Sequence, residues 1–298
     1  MFSTVNEEKV MISADSVAFL HSIDPLTVIN KIKHFRSLNI RDMSESEIFT
    51  AINDTLCCNG RFVYFTNNAT YPEGSVFYRV RRLEGNNIPF SELKTISGFW
   101  EPPAHCVKNR QRLNKVGESL LYVTPSDPQV PLRELHIPDN EYYALIKYVA
   151  RQPVKVNVIG GQYDYQQLGI FDEKAILIHE LYNSFLKDEF SRDVAPGLEH
   201  LYAVSEIIAK SYFDLPPRDI QDAWAYSSVQ DKNKYNVCFR PDIAHEILHL
   251  KGAAICKNID SQIQAYCIAA TVDNTKDIQY FRMNTDIQRE RFPEITCN

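Results

Sequence analysis

The sequence predicts an α+β protein, on three observations. Apolar residues recur at helical spacing over 24–56 and again over 175–212. Short runs rich in β-branched and aromatic residues begin at residue 75. The two textures interleave without the βαβ rhythm of a parallel-sheet fold.

Asp24-Pro25 predicts an N-cap followed by proline at the first helical position, with Leu26, Ile29 and Ile32 as the apolar stripe. Ser44 and Glu47 have capping-box spacing ahead of Ile48, Ala51, Ile52 and Leu56. Residues 61–66 (RFVYFT) predict a strand, and the turn-rich 67–74 marks a boundary. The chain then divides into a mainly helical region, 1–74, and a second unit, 75–298, with its recognisable core over 75–255. Within that unit, 76–80, 119–124, 154–159, 224–229 and 236–239 predict strands. Residues 141–150, 175–190 and 197–212 predict helices, the last with Leu198, Leu201, Tyr202, Ser205, Ile208 and Ala209 on one face. A closing strand pair is expected over 263–272 and 278–283, around the turn DNTK.

Composition narrows the function classes. With 38 acidic residues against 32 Lys and Arg, the net charge is −6. That balance argues against non-specific nucleic-acid binding, which needs cations to release counterions. It leaves room for an anionic small molecule, which a few arginines can hold. The N-terminus lacks the apolar run of a signal peptide, and no apolar stretch reaches bilayer length, so a cytoplasmic protein without membrane contact is expected. The seven scattered cysteines make neither a disulfide framework nor a paired CxxC metal site.

Four segments carry polar or charged residues where a core strand or helix is expected. Arg79 interrupts FYRVR. Arg112 and Asn114 precede Gly117, with Tyr122 in the strand beyond. Glu134 ends PLREL. Ser227, Ser228 and Asn236 lie in AYSSVQ and YNVCF. Singly, each has a plain structural explanation, because an outward strand position or a helix-start charge needs no function.

Together, these blocks resemble the RES domain family, named for its Arg, Glu and Ser. The resemblance runs from Arg79 through the RLN, Gly117 and Tyr122 block and Glu134 to Tyr226–Val229 and Asn236–Phe239. It implies an ADP-ribosyltransferase-like fold and NAD as substrate. The implied reaction is scission of the nicotinamide–ribose bond by hydrolysis, phosphorolysis or ADP-ribosyl transfer. It further implies the setting of a toxin–antitoxin pair, with a separate antitoxin protein as partner.

The residue types suit that chemistry. A carboxylate at Glu134 would stabilise an oxocarbenium-like state or hold the ribose hydroxyls. Arg79 or Arg112 would fork onto the pyrophosphate. Tyr122 would offer a ring face to the nicotinamide, and Ser227 or Ser228 a hydroxyl to the ribose or phosphate. Glu134, Arg79 and Tyr122 are thus the expected catalytic residues. Arg79, Arg112, Asn114, Tyr122, Ser227, Ser228 and Asn236 are expected to bind NAD.

A competing motif is HEILH, His245 to His249, which matches HExxH. On one helix both histidines would share a face and bind zinc, with Glu246 as general base of a metallopeptidase. No third ligand signature follows, so a structural role is expected and no metal. A third reading, a non-catalytic interaction protein, is opposed by the intact Arg79, Tyr122 and Glu134. Three smaller features read as structural: Gly160-Gly161 as a turn, His179-Glu180 as helix surface, and the charged run 187–193 as a solvated helix end.

Overall fold

A computed structural model describes residues 12–62, 66–83, 93–259, 262–271 and 277–295. In chain order the elements are helices α1 (Ala14–Ser22), α2 (Pro25–Ser37) and α3 (Glu45–Leu56), then strands β1 (Cys57–Cys58), β2 (Arg61–Phe62), β3 (Asn68–Tyr71), β4 (Val76–Arg82) and β5 (Leu121–Pro125). Helix α4 (Gln129–Glu134) leads to β6 (Tyr142–Ala150) and β7 (Val154–Ile159), followed by α5 (Glu173–Ser191) and α6 (Tyr202–Tyr212). The chain continues through β8 (Ala223–Ser227), β9 (Tyr235–Phe239), α7 (Pro241–Ile247), β10 (Leu248–Ile259), β11 (Gln262–Thr271), β12 (Ile278–Arg282) and α8 (Asp286–Arg291). The protein is therefore mixed α and β, as expected. No helix among the described residues is long and apolar enough to cross a membrane.

The helix starts form as their sequences dictate. Asp24 accepts from the Thr27 amide at 2.9 Å ahead of Pro25, and Ser44 and Glu47 close a reciprocal capping box. Asp172 caps α5 by accepting from the Ala175 amide at 2.8 Å. The buried stripe of α2 is Val28, Ile32 and Phe35; Leu26 is exposed, one register position away from the expected stripe. Phe35 meets Phe185 of α5 edge to face, with ring centroids 5.3 Å apart. Helices α1–α3 share one apolar cluster with α5, α6 and the ring of Tyr226, so the N-terminal helices are packed onto the sheet.

Ten strands form one sheet in the order β12-β11-β10-β6-β4-β5-β9-β8-β7-β3. Every pairing is antiparallel except β7 with β8. β4 and β5 meet through only two residue pairs, Phe77 with Pro125 and Tyr78 with Thr124, so two five-stranded halves are joined by a narrow seam. One face is covered by a continuous apolar cluster containing Phe77, Val123, Ile146, Tyr148 and Val237. On the other face the cover is split. The helices lie over the β5–β7 side, while Tyr78, Val80, Tyr143 and the C-terminal Phe292 form a separate cluster on the β4–β11 side.

Several expectations are corrected. Residues 141–150, expected to be helical, form the central strand β6, nearly all of it buried. A strand covered on both faces loses its alternation and reads as a continuous apolar run, which periodicity cannot separate from a buried helix. His179 is not surface: it is 3% exposed and bonded through Nδ1 to the Tyr165 hydroxyl at 2.9 Å. Glu189, in the supposedly solvated run, is buried and pairs with Arg192. On α6 the buried residues run from Ala203 to Ala209, and Leu198 is exposed. The strand expected over 61–66 is described only at β2, its middle lying outside the described residues, as does the DNTK turn. Gly160 does make a turn, at φ +65°, and a Cβ there would stand 2.6 Å from the Lys187 backbone of α5. The glycine is needed for both the turn and the close approach.

Candidate active site at the seam of the sheet

Strand alternation decides which candidate residues meet. The pairings Tyr78–Thr124, Tyr122–Cys238 and Tyr226–Asn236 put Tyr122, Thr124, Tyr226 and Asn236 on the helix-covered face. Helix α4 leaves β5 through a short turn, packs against β4 and β5, and ends on Glu134, which lies over this face.

The Glu134 carboxylate is held through one oxygen. Its Oε1 accepts from the Ser228 hydroxyl, from the Val229 amide at 3.0 Å and from Asn236 Nδ2 at 3.1 Å. Asn236 is oriented in turn by Thr124, whose hydroxyl donates to Asn236 Oδ1 at 3.0 Å. Ser228 is fixed by accepting from the Gln230 and Asp231 amides at 3.2 and 3.3 Å. Ser228 and Thr124 are almost fully buried, and Glu134 is half-buried. Such an arrangement fixes the carboxylate through Oε1 and leaves Oε2 outside these three bonds.

Arg112 supplies the opposite charge. It is 8% exposed, donates through Nη2 to the Arg192 carbonyl at 2.9 Å, and lies 5.1 and 5.7 Å from the ring centroids of Tyr202 and Tyr226. Among the described residues its Nη1 is buried without a hydrogen-bond partner. A buried unpaired donor costs about 1–3 kcal/mol, and more when charged, so an acceptor brought by a ligand would relieve it. Burial pushes both tyrosine hydroxyls up; the Arg112 guanidinium opposes that rise and the Glu134 carboxylate adds to it. Tyr202 and Tyr226 therefore stay protonated at neutral pH.

Tyr122 and Asn114 shape the loop that carries Arg112. The Tyr122 hydroxyl donates to Asn114 Oδ1 at 2.7 Å and accepts from the Leu113 amide at 3.0 Å. Asn114 also donates to the Lys115 carbonyl at 3.2 Å. The Tyr122 hydroxyl is thus spent on loop position, which leaves only its part-exposed ring for a ligand. Burial raises this hydroxyl well above its usual range.

Two candidates do not join the group. Arg79 pairs with Ile146 and points to the opposite, continuous apolar face, where Nη1 donates to the Trp100 carbonyl. It cannot reach a ligand held by Arg112 and Glu134 through the intervening sheet. Ser227 pairs with Tyr235 and shares Arg79's side of the sheet by alternation, which assigns the Glu134 contact to Ser228 alone. Three residues outside the expected set belong to the site: Thr124, Tyr202 and Tyr226. Thr124 was legible as the residue two beyond Tyr122, on the same strand face; Tyr202 carried no signal beyond helix packing.

HEILH does not form a zinc-type face. Helix α7 ends at Ile247, so His249 belongs to β10, where it pairs with Val149. His245 pairs instead with Glu101 at 3.1 Å and lies against Trp100, and Glu246 faces Arg218. Grooves of about 580 Å3, beside Lys115 and Lys210, and about 570 Å3, beside Tyr163 and Tyr165, include neither Arg112 nor Glu134. The chain matches no family model, no curated protein and no solved structure.

Proposed function

We propose that the protein binds NAD at the seam of its sheet and cleaves the nicotinamide–ribose bond, as a RES-type enzyme of ADP-ribosyltransferase-like fold. The observation that carries the reading is a pair of groups: Arg112, whose Nη1 is buried without a hydrogen-bond partner among the described residues and whose guanidinium lies over the rings of Tyr202 and Tyr226, and the anchored Glu134. NAD presents complementary chemistry: an anionic pyrophosphate for a guanidinium, and a ribose that gains positive charge as nicotinamide leaves.

In this reading Arg112 holds the pyrophosphate through Nη1. Glu134 Oε2 faces the ribose and stabilises the developing charge, while Oε1 stays locked by Ser228, Val229 and Asn236. Ser228 and Asn236 act on Glu134, and Tyr122 and Asn114 act on the Arg112 loop, so these four position other groups. The part-exposed ring of Tyr122 and the rings of Tyr202 and Tyr226 form the aromatic walls.

Incubation of the purified protein with NAD, with and without inorganic phosphate, tests the reading. Release of nicotinamide is the expected result. The second product identifies the acceptor: ADP-ribose for water, its phosphorylated form for phosphate. Unchanged NAD in both incubations, together with no detectable NAD binding, would reject it.

A further inference from the structure

We infer that Glu45, an acid of the N-terminal helix α3, is a positioning residue for the active-site loop, setting Arg112 by clamping the residues on either side of it. The inference rests on the NAD reading for its functional consequence, though the clamp itself stands on geometry alone. Glu45 Oε1 accepts from Arg110 Nη2 at 2.5 Å, and Oε2 accepts from Lys115 Nζ at 2.7 Å. One carboxylate therefore bridges the two ends of the segment that contains Arg112, Leu113 and Asn114.

Helix α6 closes the clamp from the other side. Glu206, almost fully buried, accepts from Arg110 Nη1 at 2.6 Å and pairs with Lys210 at 3.1 Å. Lys210 also pairs with Glu118, which accepts from the Lys115 amide at 2.9 Å. Ser205 donates to the Arg112 carbonyl at 2.8 Å. The loop that presents Arg112 is thus held between a helix of the N-terminal region and a helix of the sheet-covering layer. The hydrogen bonds from Lys115 and Arg110 pull the Glu45 carboxyl down to about 2, so it is ionised at neutral pH.

Glu45 and Lys115 are both about half exposed, and exposed ion pairs contribute little to overall stability. Losing the bridge should therefore loosen one loop and leave the fold intact. The Leu113 amide, bonded to the Tyr122 hydroxyl, reports on that loop directly.

The test compares Glu45→Gln with Thr50→Ala, which removes an exposed side-chain bond to the Ser46 carbonyl on the same helix and none of the bonds of the clamp. Amide hydrogen exchange at Leu113 is measured beside KM and kcat for NAD. Glu45→Gln is expected to speed Leu113 exchange and raise KM, each about fivefold or more, with kcat within about twofold. Glu45→Asp should restore part of both, and Thr50→Ala should change neither. Leu113 exchange unchanged in Glu45→Gln, or equally fast in Thr50→Ala, overturns the clamp. Faster exchange with KM unchanged in a protein that turns over NAD overturns its functional part. If the parent protein does not use NAD, the NAD reading fails by itself, and the exchange rates alone decide the clamp.

Discussion

Ser228 donates its hydroxyl hydrogen to Glu134, a contact between residues 94 positions apart that joins the end of β8 to the end of α4. The same Oε1 takes the Val229 amide and Asn236, so three donors converge on one carboxylate oxygen. Its neighbour Ser227 faces the other side of the sheet. Ser228→Ala should therefore lower NAD turnover, on the order of tenfold for one of three fixed donors, whereas Ser227→Ala should change it by less than about twofold. Steady-state rates of the two variants, measured side by side, check this. Equal losses would mean that the Glu134 anchor is irrelevant to turnover.

Arg112 and Arg79 separate in the same way. Arg112→Ala removes the buried guanidinium between Tyr202 and Tyr226 and should weaken NAD binding by about tenfold or more. Arg79→Ala removes a bond to the Trp100 carbonyl on the far face and should appear mainly as a loss of about 1–2 kcal/mol in stability. Calorimetric titration with NAD, paired with denaturant unfolding, distinguishes the two. Loss of NAD binding in Arg79→Ala with stability intact would place the ligand on the wrong face here.

The pH dependence of stability has an identifiable contributor in His179. Burial pulls its imidazole down to about 4, whereas a histidine in an unfolded chain titrates near about 6.5. Between those values the unfolded state binds a proton that the folded state does not. Stability is therefore lost as pH falls from about 6.5 toward 4, by up to roughly 3 kcal/mol from this group. Urea unfolding at stepped pH should show that loss, and His179→Gln, which can still accept the Tyr165 hydroxyl, should flatten it. An unchanged slope in the variant would assign the loss to other groups.

Much of this architecture was legible, and the failures have physical causes. The caps at Asp24 and Ser44 and the strands expected over 76–80, 154–159 and 236–239 follow from local chemistry, and they form within β4, β7 and β9. β6 reads as a helix in the sequence because a central strand buried on both faces carries no alternation. The grouping of Arg79, and of Ser227 as the alternative to Ser228, with Glu134 rests on the resemblance alone; which strand faces meet is set by the pairing register, which turns both residues to the other side of the sheet. HEILH is set aside in the sequence for want of a third ligand, and the fold adds a separate reason: the helix stops at Ile247, inside the motif. Glu45 carried no sign of its part in the site, since its partners at 110 and 115 come together with it only in the folded chain.

The most direct test of the central claim is Glu134→Gln, assayed for NAD binding and NAD consumption in one preparation. The substitution keeps the shape and an oxygen able to accept from Val229 and Asn236, and it removes the charge. A carboxylate that acts on developing positive charge contributes to the transition state more than to binding. The account predicts that the variant binds NAD within a fewfold of the parent and consumes it about a hundredfold more slowly or worse. Consumption at the parental rate would contradict it.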